Sequence, residues 1–200
     1  MAIYTIGHSN HALENFIAIL KTNTISAVAD VRSSPYSGMY PHFNREPLAS
    51  SLKIEGIAYV FLGNELGARP DDRNCYTGGS ADFKKMADRS EYRVGLNRVL
   101  KGAEKYRLAL LCAERDPIFC HRTILVSRSL VKLGMQVKHI LSDGSQEDHF
   151  DTSKRLIRYL GLDANLFTTS LSENELIDRA FEEQARLISH SKQVVEDENE

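Results

Sequence analysis

The sequence predicts an α/β fold in three layers: a mostly parallel sheet of five strands, or slightly more, with helices on both faces and an additional C-terminal helix. Two observations lead to this prediction. Five short apolar runs of strand length alternate with segments whose apolar residues repeat at helical spacing. Parallel neighbours need crossover connections, and the intervening helices supply them.

The five predicted strands are residues 3–6, 25–31, 57–62, 108–112 and 136–141. They are apolar and rich in residues that suit a buried sheet. Residues 68–80 are polar and rich in turn formers, so they are expected to form a long surface loop with Cys75 exposed.

Helices are predicted between these strands from their caps and apolar stripes. Asn10 is the expected cap of the first helix, and Asn44 that of the second. A third helix spans residues 83–100, with Val94 among its inward residues and a break near Arg89. A fourth follows the loop after residue 112, where apolar residues between 124 and 133 repeat at helical spacing. A fifth, after the last strand, covers residues 148–161 and closes at Gly161.

The chain is expected to divide into one α/β domain over residues 1–165, a helical extension over 166–190 and a disordered acidic tail over 191–200. A capping box formed by Ser172 and Glu175 predicts the start of the last helix. That helix is expected either to pack on the domain or to mediate a homodimer.

Composition limits the class of protein. The apolar fraction of 42% suits a globular core, and no apolar run reaches membrane-spanning length. The first residues do not resemble a signal peptide, and three widely spaced cysteines do not suggest disulfides. A cytoplasmic protein without a membrane partner is therefore predicted. A net charge of −2 argues against non-specific binding to nucleic acid.

Polar clusters follow every predicted strand. They are His8-Ser9, Asp30-Val31-Arg32, Asn64-Glu65, Cys112-Ala113-Glu114 and Ser142-Asp143. The carboxyl ends of parallel strands share one edge of the sheet, where such folds bind ligands. The sequence therefore predicts one site at that edge.

An anion is the expected ligand, because Arg122 and Thr123 lie near a predicted helix start and Arg32 can reach the same edge. The alternative is that Arg122 pairs with Asp116 or Asp30. The full set of predicted ligand-binding residues is Ser9, Arg32, Ser37, Cys112, Arg122, Thr123 and Asp143.

Five residues are predicted to be catalytic: His8, Asp30, Glu114, Cys120 and His121. A carboxylate such as Asp30 or Glu114 would orient an imidazole for acid–base work. Cys120 lies near a helix start, where the pKa of a thiol tends to fall. The spacing of Cys112 and Cys120 is too open for the common zinc pattern, so no metal site is predicted. A site completed by His139 or His149 is the weaker alternative.

Six motifs occur in order along the chain: TIGHSNH at 5–11, DVRSSPYS at 30–37, FN at 43–44, LGNELG at 62–67, LLCAERDPIFCHR at 110–122 and HILSDG at 139–144. These motifs and their order resemble those of the bacterial and archaeal domain of unknown function 488 family over about residues 3–161. The resemblance implies an α/β domain and carries no established activity. The family pattern after the third strand is Leu-Gly-Gly, whereas this chain has Leu62-Gly63-Asn64. The layout is also similar to rhodanese-like domains and, more distantly, to cysteine-dependent phosphatases.

We expect an enzyme, a hydrolase or a transferase, that acts on a phosphate-bearing small molecule such as a nucleotide, or on a nucleic-acid end. The sequence assigns it no cofactor. Two alternatives stay open: a thiol enzyme that uses Cys120 or Cys112, and a non-catalytic module that binds a ligand or a partner.

Overall fold

The computed structural model describes residues 2–163 and 171–189. Its strands, in chain order, are β1 Ala2–Gly7, β2 Ala27–Asp30, β3 Ala58–Phe61, β4 Tyr76–Thr77, β5 Ser80–Ala81, β6 Leu108–Cys112, β7 Gln136–Ile140 and β8 Gln146–Asp148. Six of them form one sheet in the order β3-β2-β6-β1-β7-β8. All neighbours are parallel except β7 and β8, which pair antiparallel at one edge. The predicted mostly parallel sheet is confirmed, with β8 as an addition.

The helices, in chain order, are α1 Leu13–Thr22, α2 Arg45–Ile54, α3 Gly63–Leu66, α4 Phe83–Asp88, α5 Ser90–Lys105, α6 Arg128–Lys132, α7 His149–Tyr159 and α8 Glu173–Ile188. A π-helical segment, Arg122–Ser127, leads directly into α6. Short 3-10 turns occur at Pro41–Phe43, Arg73–Cys75 and Pro117–Phe119.

The two faces of the sheet carry separate apolar clusters, because successive side chains of a strand point to opposite faces. In β6, Ala109 and Leu111 pack on the cluster that includes residues of α1 and α2. Leu108, Leu110 and Cys112 pack on the opposite cluster, which draws on α5, α7 and α8. The three-layer arrangement predicted from the sequence is therefore present, with β6 buried throughout.

Helix starts differ from the predicted caps. The cap position of α1 is Ala12 rather than Asn10. Asn44 does precede α2, but its side-chain oxygen accepts a hydrogen bond from the amide of Ser37 at 2.6 Å and does not cap the helix. The side chain of Asn44 thus stabilises the preceding loop, and such loop contacts compete with helix caps for the same side chain.

The segment before the fourth predicted strand is more structured than expected. Within residues 68–80, β4 pairs with β5 in a small antiparallel hairpin that ends at Ala81. Cys75, predicted to be exposed, is buried among apolar side chains. The predicted helix break is confirmed at Arg89, between α4 and α5, but Val94 points outward and is 54% exposed.

The C-terminal helix α8 packs on the α/β domain. Its predicted capping box is present, with Ser172 and Glu175 bonded to each other. Ala180 and Phe181 are fully buried, and the amide of Gln184 donates to the carbonyl oxygen of Ile118 at 2.8 Å. Self-association through this helix stays a prediction. Residues 164–170 and the predicted acidic tail at 191–200 lie outside the described residues.

Candidate functional site

The carboxyl ends of three strands, β1, β2 and β6, lie together at one edge of the sheet. Gly7 of β1 lies opposite Cys112 of β6, and Asp30 of β2 lies opposite Leu111 of the same strand. The pairing continues past the strands, because the amide of His8 donates to the carbonyl oxygen of Cys112 at 2.9 Å. The loops that carry the predicted site residues are therefore adjacent.

A first polar cluster joins His8, Arg32, Asp30 and Tyr59. Arg32 donates to both carboxylate oxygens of Asp30, from Nε at 2.9 Å and from Nη2 at 2.6 Å. Its Nη1 lies 3.2 Å from Nε2 of His8. Tyr59 donates its hydroxyl hydrogen to Asp30 at 2.7 Å. This bidentate pairing holds the guanidinium in one orientation beside the imidazole.

The ring of His8 is oriented from two sides. Its Nδ1 donates to the carbonyl oxygen of Ser9 at 2.9 Å, so the lone pair is on Nε2 and faces Arg32. The ring also stacks on Phe43 at a centroid distance of 4.3 Å. Burial, together with the charge of Arg32, lowers the pKa of His8 to about 4. His8 is therefore neutral at pH 7, and the lone pair on its Nε2 accepts a hydrogen bond from Nη1 of Arg32.

Arg122, predicted to bind an anion, lies inside the protein. It is fully buried, and it donates from Nη1 to the carbonyl oxygen of Glu114 at 2.6 Å and from Nη2 to that of Arg115 at 3.3 Å. Neither of the alternative partners pairs with it, because Asp116 bonds to Arg155 and Asp30 to Arg32.

Gly7 explains how close this loop comes to β1. A Cβ at Gly7 would lie 1.8 Å from the carbonyl oxygen of Glu114, the same oxygen that accepts from Arg122. Only glycine permits that approach. Arg122 therefore ties the loop after β6 to the sheet edge.

The helix start after this loop is occupied by the chain itself. The amide of Arg122 lies 3.4 Å from Sγ of Cys120, and the amide of Thr123 donates to the carbonyl oxygen of Cys120 at 3.0 Å. Nε of Arg122 and the hydroxyl of Thr123 are buried without a hydrogen-bond partner among the described residues. The positive helix end, expected to hold an external anion, faces a sulfur atom instead.

A second cluster, the thiol cluster, consists of Cys112, Glu114, Cys120 and His121. One carboxylate oxygen of Glu114 lies 2.9 Å from Sγ of Cys112 and 2.8 Å from Sγ of Cys120. Nδ1 of His121 lies 3.6 Å from the first sulfur and 4.0 Å from the second. The four donor atoms lie within 4.8 Å of one another, close enough to hold one metal ion.

Burial and mutual contact shift the pKa values of the thiol cluster. Burial acts to raise the pKa of Glu114, but hydrogen bonds from the two thiols lower it to about 2. Burial, and then the neighbouring Cys112, raise the pKa of Cys120 well above its usual value. The sequence predicted the opposite for Cys120, because the helix start suggested exposure that the folded chain does not provide. The structure gives no support to a nucleophilic Cys120.

The remaining predicted site residues have structural contacts. Ser37 accepts a hydrogen bond from the amide of Tyr40 at 3.2 Å, and the exposed Asp143 accepts from Ser145 in the turn between β7 and β8. Tyr59, which bonds to Asp30, was not among the site residues predicted from the sequence. Its position on a strand that pairs with the strand of Asp30 could have indicated it.

His139 and His149 do not join the thiol cluster. His139 bonds to the hydroxyl of Thr5 at 2.7 Å and to Nδ1 of His149 at 3.0 Å. Both imidazoles are buried, and that of His149 contacts the ring of Phe181. The weaker alternative from the sequence, in which one of them completes a metal site with the cysteines, therefore finds no support in these contacts. Their burial between β7, α7 and α8 assigns them to packing.

A groove of about 600 Å³ contains none of the predicted site residues. It lies between α4, α6 and α8, and its charged residues include the ion pair of Lys84 with Glu182 at 2.8 Å. Arg128 on its wall bonds to Asp178 at 2.5 Å. Because these charges are paired, we give more weight to the sheet edge, where the titratable groups converge.

A comparison with protein families covers four of the six motifs of the chain, those at 30–37, 43–44, 62–67 and 110–122. Within the described residues, no helix combines the length and the apolar character needed to cross a membrane. No curated protein and no solved structure matches the chain. The profile of the family described as Domain of unknown function DUF488 matches residues 12–129, more than half of the chain. That span includes Asp30, Arg32 and the whole loop from Cys112 to Arg122. The chain therefore belongs to the DUF488 family.

Proposed function

We propose that this protein is an enzyme that acts on a phosphate-bearing ligand, a nucleotide or a nucleic-acid end, by hydrolysis or group transfer at the carboxyl edge of the sheet. The observation that carries the proposal is the contact between Nε2 of His8 and Nη1 of Arg32 at 3.2 Å. It puts an anion-binding group and a proton acceptor side by side.

Arg32 is suited to hold the phosphate. Two of its five N–H groups bond to Asp30 and one faces His8, which leaves one N–H on each of Nη1 and Nη2. The side chain is only 7% exposed. A phosphate bound there would give up its hydration water and accept charge-assisted hydrogen bonds from Arg32 in its place. Such bonds contribute about 1.5–3 kcal/mol each. Asp30 supports this role by holding the guanidinium in place.

His8 is suited to accept a proton. If a bound phosphate takes over the Nη1 hydrogen that now faces Nε2, the lone pair of Nε2 becomes available to a water molecule or hydroxyl group that attacks the phosphate. The bound anion would offset the charge of Arg32, which now lowers the pKa of His8. Ligand binding would therefore raise this pKa by removing the smaller of the two causes that lower it, while burial, the larger cause, remains.

The test compares two histidines that flank the same ring. His8 and His42 both contact Phe43, at centroid distances of 4.3 Å and 4.5 Å. The parent, His8→Asn and His42→Asn proteins are assayed on a panel of phosphate monoesters and diesters, including nucleotides and end-phosphorylated oligonucleotides. We expect His8→Asn to lower turnover by about 100-fold or more, the usual contribution of a general base. His42→Asn should turn over like the parent.

Two results would contradict the proposal. If phosphate esters raise the melting temperature of the parent but none is turned over, the site is that of a non-catalytic binding module. If neither phosphate nor any ester raises the melting temperature and none reacts, the sheet edge is not a phosphate site.

A further inference from the structure

We propose that Cys112, Glu114, Cys120 and His121 bind a divalent metal ion, with zinc as the best match to this donor set. Two sulfurs, one imidazole nitrogen and one carboxylate oxygen are all ligands that zinc takes in proteins. Their donor atoms lie within 4.8 Å of one another. On a tetrahedron with ordinary zinc bond lengths, such donors are roughly 3.4–3.8 Å apart. The two separations from Nδ1 of His121 to the sulfurs, 3.6 and 4.0 Å, are already close to that range.

Both thiols converge on one carboxylate oxygen of Glu114, at 2.9 Å from Cys112 and 2.8 Å from Cys120. In the metal-free cluster these contacts are hydrogen bonds from the thiols. A zinc ion would hold the oxygen about 3.5 Å from each sulfur, so Glu114 would move back by roughly 0.6 Å when the ion binds.

The orientation of His121 supports metal binding independently of these distances. Its Nε2 donates to the carbonyl oxygen of Val31 at 3.0 Å, so the lone pair on Nδ1 faces the two sulfurs. A metal-binding histidine usually donates its other ring nitrogen to a carboxylate or a backbone carbonyl in this way. Because His121 is held by the residue that directly follows β2, the lone pair on Nδ1 is kept in this orientation.

The helix start and Arg122 supply the positive charge that such a centre needs. Two thiolates, one carboxylate and a neutral imidazole around a divalent ion carry a net charge of −1. Arg122 is fully buried and has no carboxylate partner among the residues that the structure describes. Its amide also points at Sγ of Cys120 at 3.4 Å. That net charge of −1 equals the charge of the Glu114 carboxylate alone, so Arg122 offsets the cluster equally well with and without the ion.

The sequence spacing concealed this site. Seven residues separate Cys112 from Cys120, more than the two to four of common zinc motifs. The 3-10 turn Pro117–Phe119 folds the loop back and returns Cys120 to the end of β6. With four protein donors the centre is closed, so we assign it the structural role of clamping this loop. This inference stands apart from the proposed phosphate chemistry.

The experiment begins with the full-length parent, so that it does not depend on how a variant folds. The protein is produced in medium containing zinc, and its metal content is measured by mass spectrometry. The apoprotein, prepared with a chelator, is then titrated with cobalt(II). We expect one zinc ion per chain, a fall in melting temperature on chelation, and thiolate-to-cobalt charge-transfer absorption in the near ultraviolet.

Variants then locate the ion. Cys112→Ser and Cys120→Ser should weaken zinc binding by at least about 100-fold, more than the loss of an outer-shell partner usually costs. Cys75→Ser is the matched control, because Cys75 is equally buried but lies outside the thiol cluster. It should bind zinc and cobalt as the parent does.

Three results would overturn the proposal. The first is a parent without stoichiometric metal and without a thiolate band for cobalt. The second is a metal ion that remains bound when Cys112 and Cys120 are both serine. The third is a disulfide between these two cysteines in the protein as purified. Circular dichroism of each variant shows whether a loss of metal reflects a lost ligand or a lost fold.

Discussion

Arg32 and Arg122 are both buried arginines at the same sheet edge, and the sequence predicted that both would bind an anion. Arg32 is held by the carboxylate of Asp30 and faces His8 at 3.2 Å. Arg122 donates instead to two backbone carbonyl oxygens, those of Glu114 and Arg115. The first retains N–H groups at the edge, whereas the second holds a loop together from inside.

The difference shows that residue type and position along the chain do not decide the role of a buried cation. A guanidinium can bind a ligand only if its anchoring partners leave some N–H groups accessible. The carboxylate of Asp30 occupies only two N–H groups of Arg32 and leaves others for a ligand. The guanidinium of Arg122 is completely buried, so no ligand can reach it. We therefore expect changes at Arg122 to affect stability and changes at Arg32 to affect ligand binding.

The largest expected effect is that of Arg122→Ala on stability. The change leaves the carbonyl oxygens of Glu114 and Arg115 without a donor and opens a cavity, so the free energy of unfolding should fall by about 3–5 kcal/mol. Urea denaturation measures this. Arg155→Ala is the control, because that ion-paired side chain is 30% exposed and should matter less. Equal losses of unfolding free energy for the two variants would show that Arg122 contributes no more to stability than the partly exposed Arg155.

The next effect concerns pH and the histidine pair near Arg122. Burial, and then the charge of Arg128, lower the pKa of His149 from 6.5 to about 4. Between these values the unfolded chain binds a proton that the folded chain excludes, so stability falls as the pH drops from about 6.5 to about 4 and this contribution levels off below. His149 faces His139. The pKa of His139 is also lowered, first by burial and then by His149 and Arg122.

In His149→Gln, the stability lost between pH 6.5 and pH 4 should be smaller than in the parent by up to about 3 kcal/mol, because glutamine does not bind a proton. Denaturation at a series of pH values measures it. His42→Gln is the control, since His42 lies elsewhere, half-buried beside Phe43. A pH profile for His149→Gln that parallels the parent would show that His149 is not the group that excludes the proton.

A smaller effect is expected where α8 meets the loop before Arg122. Gln184→Ala leaves the buried carbonyl oxygen of Ile118 without its 2.8 Å donor and should cost about 2 kcal/mol of stability. Phosphate affinity should not change, because Arg32 is untouched. Glu183→Ala, at the half-buried neighbouring position, should have little effect on either property. A loss of phosphate binding in Gln184→Ala would link α8 to the Arg32 site.

The smallest effect in free energy is the one that tests Arg32 most directly. Arg32→Lys keeps the charge beside Asp30 but loses the planar fork, so phosphate affinity should fall by about tenfold, or about 1.4 kcal/mol. Titration calorimetry with inorganic phosphate measures it. Arg122→Lys should bind phosphate as the parent does. The reverse pattern, with only Arg122→Lys impaired, would restore the original prediction from the sequence.

The sequence was most informative where one physical signal dominated. The apolar run from Leu108 to Cys112 predicted β6 at its observed bounds, and the capping box predicted the start of α8 at Ser172. Caps and surface loops were less predictable. Asn10 and Asn44 have several possible hydrogen-bond partners, and the fold selects among them. Cys75 lies in a polar stretch, yet the β4–β5 hairpin buries it.

The sequence by itself determined the fold class and the shared edge of the site. Alternating strands and helices permit few other arrangements, and parallel strands must end together. Only the tertiary structure decided which side chains meet there. Four side chains come together as the thiol cluster, those of Cys112, Glu114, Cys120 and His121. Their meeting depends on the turn at Pro117–Phe119 and on the carbonyl oxygen of Val31, which follows β2. Such contacts join residues distant in sequence, so local patterns carry no signal for them.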